Sequence, residues 1–148
     1  MYRRSMLWGA ISALGAAFAA ARTEAATESA PGKPRVVYHL SDLDKVRFVI
    51  GNIQNHLDGV GGPDNVTIVL VVHGPALRAF HSTEANPDLA RHTGKLSKAG
   101  VGFAACANTM KSQKVTLNEL LPGFVSAEKG GVVRIAELQA QGYLYLRP

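Results

Sequence analysis

Along residues 35–148, short apolar runs alternate with stretches whose apolar residues recur at helical spacing. Val36-Val37-Tyr38-His39-Leu40 is apolar and β-branched and is closed by Ser41-Asp42. That predicts a buried strand ending near His39, then a helix N-cap. Val46, Val49, Ile50, Ile53 and Leu57 keep i, i+3, i+4, i+7 spacing, so an amphipathic helix follows and stops at Gly59 to Pro63. Val66 to Val72 is almost continuously apolar, as expected of a central parallel strand covered on both faces, and ends at His73-Gly74-Pro75. A short helix over Ala76 to Phe80 and a longer one over Pro87 to Ala99, ended by Gly100, lead to a third strand, Val101 to Cys106.

The next helix takes Asn108 or Thr109 as its cap, and Leu117, Leu120 and Leu121 follow before Pro122-Gly123. Phe124-Val125-Ser126 predicts a fourth strand. Gly130 to Gln141 predicts a helix carrying Val132, Val133, Ile135, Ala136 and Leu138, and Tyr143 to Leu146 a closing strand. Strands separated by helices predict an α/β fold: three layers, with a five-stranded, mainly parallel Rossmann-like sheet and helices on both faces.

The N-terminus follows a different pattern. Arg3 and Arg4 precede an Ala- and Gly-rich apolar stretch with no charge before Arg22, which reads as the n- and h-regions of an export signal over residues 1–25. Ala19 and Ala21, or Thr23 and Ala25, offer small residues for cleavage. The apolar run is about 16 residues, short of the roughly 20 that span a bilayer, so a cleaved signal is expected rather than a stable membrane span. The paired arginines resemble a twin-arginine signal, with Sec export the near alternative. Residues 26–34 read as a polar, Pro-containing linker and 35–148 as the folded domain, and the export signal makes the periplasm the expected location.

With 148 residues, 47% apolar and 18% charged, the chain has material for one domain with a real core. The net charge of +5 suggests nucleic acid at first sight. Without residues 1–25, however, 13 basic residues face 10 acidic ones, and the remainder are dispersed with no aromatic interleaving. Nucleic-acid binding is therefore not expected.

In an open parallel sheet the ligand crevice lies beyond the carboxyl ends of the strands. The predicted strands deliver His39 with Ser41, His73 with Gly74, Cys106 with Asn108, and Ser126 with Glu128 to that edge. Cys106 carries the most specific chemistry: a thiol at a strand end beside a helix start is drawn toward the thiolate by unpaired N–H groups. It is the only cysteine, so an internal disulfide or CxxC cycle is excluded. Any chemistry must involve a substrate or partner, as a persulfide, mixed disulfide or oxidised thiol. The plain alternative is a small buried hydrophobe.

His39 and His73 are candidates to hold or deprotonate a substrate, although either could simply finish a strand. His56, His81 and His92 read as exposed. No metal-ligand spacing, Walker pattern, GxGxxG or Gly-x-Ser-x-Gly elbow is present, so neither a metal nor a cofactor is expected. Gly130-Gly131 could cradle phosphate but reads more simply as a turn into a helix.

Taken together, the opening strand and its helix, the Val66 to Gly74 strand, the segment Gly102-Phe-Ala-Ala-Cys-Ala-Asn-Thr-Met110 and the closing Gly130 to Leu146 helix and strand resemble the DsrE/DsrF-like family of small sulfur-relay proteins. The resemblance implies a homo-oligomer (dimer, trimer or hexamer) and a sulfur carrier or sulfurtransferase holding sulfane sulfur as a persulfide on Cys106. His39, His73 and Asn108 would be its neighbours, and a donor or acceptor protein its partner. Two other readings compete: a non-catalytic periplasmic module that binds a small ligand or serves assembly, with a structural cysteine, and a thiol redox sensor.

Overall fold

A computed structural model describes residues 32–148. The expected export signal and most of the linker lie outside the described residues. Five strands form one sheet: β1 (Arg35–Leu40), β2 (Thr67–Val72), β3 (Gly102–Cys106), β4 (Phe124–Ala127) and β5 (Leu144–Leu146). The helices are α1 (Val46–Gly59), α2 (Pro87–Lys98), α3 (Ala107–Gln113) and α4 (Gly131–Ala140), with short 3₁₀ turns between them. Every strand pair is parallel, so "mainly parallel" becomes wholly parallel, and the order is β4-β3-β2-β1-β5.

That order assigns the helices to faces. The chain steps in one direction from β1 to β4, then returns across the sheet to β5, and right-handed crossovers put helices of opposite steps on opposite faces. Val36, Tyr38, Leu40, Ile68, Leu70, Val72, Phe103 and Ala105 accordingly pack with α1, α2 and Met110 of α3. The alternate residues Val37, Val71, Ala104 and Ala127 pack with Ile135 and Leu138 of α4 alone. The strand period of two decides which side chains share the α4 face. His39, His73, Cys106 and Tyr145 all belong to it by parity and register.

Three local expectations need correction. Val132 and Val133 are 67% and 42% exposed, because α4 meets the sheet through Gly131, Ile135 and Leu138, and the valines lie off that stripe. α3 begins at Ala107 with Cys106 itself in the N-cap position, extended at φ −62° and ψ 119°, so Asn108 and Thr109 lie inside the first turn rather than capping it. Asp42 precedes a 3₁₀ turn over Leu43–Lys45 and makes no side-chain cap. Its carboxylate faces Arg147 at 3.7 Å instead.

No helix among the described residues is long and apolar enough to cross a membrane. Phe48, Leu144 and Leu146 are exposed, the last two on the edge strand β5.

Candidate functional site

The connection after β3 enters α3 on one face of the sheet and that after β4 enters α4 on the other. Adjacent strands whose connections diverge open a crevice at their carboxyl ends. Cys106 closes β3 on one side of that crevice, and Ala127 to Gly131 lead from β4 into α4 on the other.

Cys106 is 6% exposed. Burial pushes its thiol up, but the Thr109 hydroxyl and the backbone N–H groups of Gly131, Thr109 and Asn108 act on the sulfur and leave it below its ordinary value. Thr109 is equipped for that donation. Its Oγ1 already accepts the Gly74 N–H at 2.9 Å, and a hydroxyl used as acceptor keeps its own proton free. The Gly74 carbonyl accepts from Gln113 Nε2 at 2.9 Å, and Gln113 Oε1 accepts from His81 Nε2 at 2.8 Å. The loop after β2, which needs glycine for its φ of +62°, is thereby fixed against α3.

Gly131 closes the cradle from the α4 side. A Cβ placed there would lie 3.3 Å from the Cβ atoms of both Cys106 and His73 and 3.4 Å from Val71 Cγ1. Only a glycine lets the α4 backbone come this close to the sheet. Gly131 and Thr109 are the two residues that sequence reasoning did not single out for the thiol. The sequence offers Gly130-Gly131 as a phosphate cradle or a turn, and Thr109 as a helix cap. The signal for Gly131 was a glycine at the first turn of a helix facing a strand end.

His39 and His73 meet, with Nε2 to Nε2 at 2.5 Å and rings stacked 4.7 Å apart. His39 Nδ1 lies 2.6 Å from the hydroxyl of Tyr145, so β1, β5 and the residue just after β2 supply one hydrogen-bonded row on the Cys106 face. Tyr145 was not among the expected residues. Burial, then the His73 and Arg147 charges, pull His39 down to about 4, with Asp42 opposing. Burial and Arg147 also lower His73. Both imidazoles are therefore neutral at neutral pH, and each can donate through one nitrogen while accepting through the other. Asn108 is the least engaged expected residue: it is exposed, and its backbone N–H, not its amide, serves the sulfur. Its Nδ2 approaches Gly130. His56 and His81 are not free surface residues, since they bond to Tyr38 and Gln113. No metal-binding group of His, Cys, Asp or Glu occurs among the described residues.

The His39 shift has a consequence for stability. Between pH 6.5 and about 4 the unfolded chain takes up a proton that folded His39 does not, so stability falls as the pH drops through that window. Urea unfolding of His39→Gln across it should show a shallower loss, by on the order of 1 kcal/mol once solvent screening is allowed for. An acid limb identical to that of wild type would show that His39 is not held neutral.

A model of the DsrE/DsrF-like family matches residues 16–148. The chain belongs to this family. Among solved structures, a protein of unknown function from Methanobacterium thermoautotrophicum is 27% identical, with a TM-score of 0.66 over 78% of this chain and 99% of that one. No curated protein matches. Membership of the DsrE/DsrF-like family implies a sulfur-relay-like role, and the Rossmann-like sheet described above agrees with the fold expected of it.

Proposed function

We propose that the protein accepts and passes on sulfane sulfur as a persulfide on Cys106, working as a carrier or sulfurtransferase. The observation that carries this reading is the set of donors around one thiol: the Thr109 hydroxyl and the N–H groups of Asn108, Thr109 and Gly131. Such a cradle favours the thiolate, which is the nucleophile. The Cys106 thiolate attacks the outer sulfur of a donor persulfide. A new S–S bond forms, the donor S–S bond breaks, and the donor thiolate leaves with the electron pair. The same donors then face the inner sulfur of the loaded cysteine. Neutral His73, in a row with His39 and Tyr145, supports proton exchange at this face of the sheet without adding charge beside the thiolate.

The burial of Cys106 favours one competitor, the structural cysteine of a binding module. Alkylation rate measured against pH separates the two. The reactive reading expects a thiol titrating below its ordinary value, and expects Thr109→Val to move that midpoint up as the hydroxyl donor is lost. Thr109→Ser should restore it. A wild-type midpoint at or above the ordinary value, unmoved in Thr109→Val, would sink the sulfur reading and leave Cys106 as core.

A further inference from the structure

We propose that the polar hollow between the loop after β2 and α3 is an oxyanion subsite, seating the negative end of a small molecule presented to Cys106. The inference rests on the reading of Cys106 as a reacting thiol and adds to it the charge class of what the thiol meets. The hollow encloses about 360 Å³ and is walled by the Gly74-Pro75 turn, Arg78, Asn108, Thr109, Ser112 and Gln113.

Three features favour an anion there. No carboxylate lines the hollow, whereas a guanidinium, two amides and two hydroxyls do, and the guanidinium is a fork of donors that matches oxyanions. Arg78 forms no ion pair among the described residues, so no carboxylate competes for its guanidinium. Thr109 is the wall shared with the thiol: it lines the hollow and holds the Gly74 N–H, and its hydroxyl acts on the Cys106 sulfur. The hollow beside α4 makes the contrast. It encloses about 260 Å³, is lined by Glu128 and Glu137, and has both its cations, Lys129 and Arg134, paired to Glu137. An anion gains little there and much at Arg78.

The test compares two thiol reagents on the full chain: the anionic 2-sulfonatoethyl methanethiosulfonate and the neutral methyl methanethiosulfonate. In both, the Cys106 thiolate attacks the sulfenyl sulfur, a mixed disulfide forms, and methanesulfinate leaves with the electron pair. The ratio of the two rate constants cancels any change in the thiol's own titration. Arg78→Ala should lower that ratio about tenfold, and Arg78→Lys, which keeps the charge but not the fork, should retain part of it. Saturable competition by sulfate against the anionic reagent alone would identify a free inorganic oxyanion as sufficient ligand. A ratio that depends on Arg78 without sulfate competition would identify the charged end of a larger molecule. Either result supports the subsite. A neutral reagent that reacts normally, with a ratio unchanged in Arg78→Ala, overturns the subsite and leaves the thiol reading standing. A wild-type thiol inert to both reagents overturns both.

Discussion

Cys106→Ala is expected to gain no sulfur from a persulfide donor, under conditions in which the wild-type chain gains the mass of one sulfur atom that a thiol reductant removes. The effect should be complete rather than graded, because the chain contains one cysteine and no other side chain can hold sulfane sulfur as a persulfide. The substitution should leave the fold in place. It removes one sulfur atom from the end of β3, at a site bounded by backbone N–H groups that water can satisfy once the sulfur is gone, so the cost should be about 1 kcal/mol. Intact-mass spectrometry across several donors checks the prediction. Equal uptake by Cys106→Ala, or no uptake by a wild-type chain whose thiol is accessible to alkylation, would count against persulfide carriage.

The second large effect is expected at Gly131. Alanine is the better helix former, and Gly131 sits at the first position of α4, so propensity alone predicts a small gain from Gly131→Ala. Packing predicts the opposite. The added methyl would meet two Cβ atoms at 3.3 Å and a valine methyl at 3.4 Å, all anchored on the sheet and none at the end of a flexible chain. Either α4 lifts or the strand ends yield, at about 1–3 kcal/mol. Lifting α4 also withdraws the Gly131 N–H from the sulfur, so the thiol midpoint should rise together with the loss in stability. Denaturant unfolding and the alkylation profile of one sample test both halves. A stabilised Gly131→Ala with an unchanged thiol would mean that α4 does not close the cradle.

The elements themselves were legible. Continuous apolar character in Val66 to Val72 announced a central strand, and the spacing of Val46 to Leu57 announced α1, because both signals are local and their periods differ. The strand-end positions of His39, His73 and Cys106 were legible for the same reason. Structure departs from the sequence pattern where a neighbour decides. Val132 and Val133 have the right spacing for a helix core, but a helix on a sheet buries only the stripe that touches it, and Gly131, Ile135 and Leu138 define that stripe. Asn108 and Thr109 have cap chemistry, yet the strand runs directly into α3 and Cys106 takes the cap position.

By itself the sequence determined the order and type of the elements, the parallel α/β class, the single cysteine and its place at the end of a strand. Patterns of apolar residues and turn chemistry write these into short stretches of chain. The tertiary structure alone decided what surrounds that cysteine. Gly131 follows it by 25 positions and Tyr145 follows His39 by 106, and only the reversal of strand order before β5 brings α4 onto the face where His39, His73 and Cys106 stand and sets β5 beside β1. Whether a thiol at a strand end is inert core or a cradled thiolate depends on donors from other elements, and no local pattern encodes those.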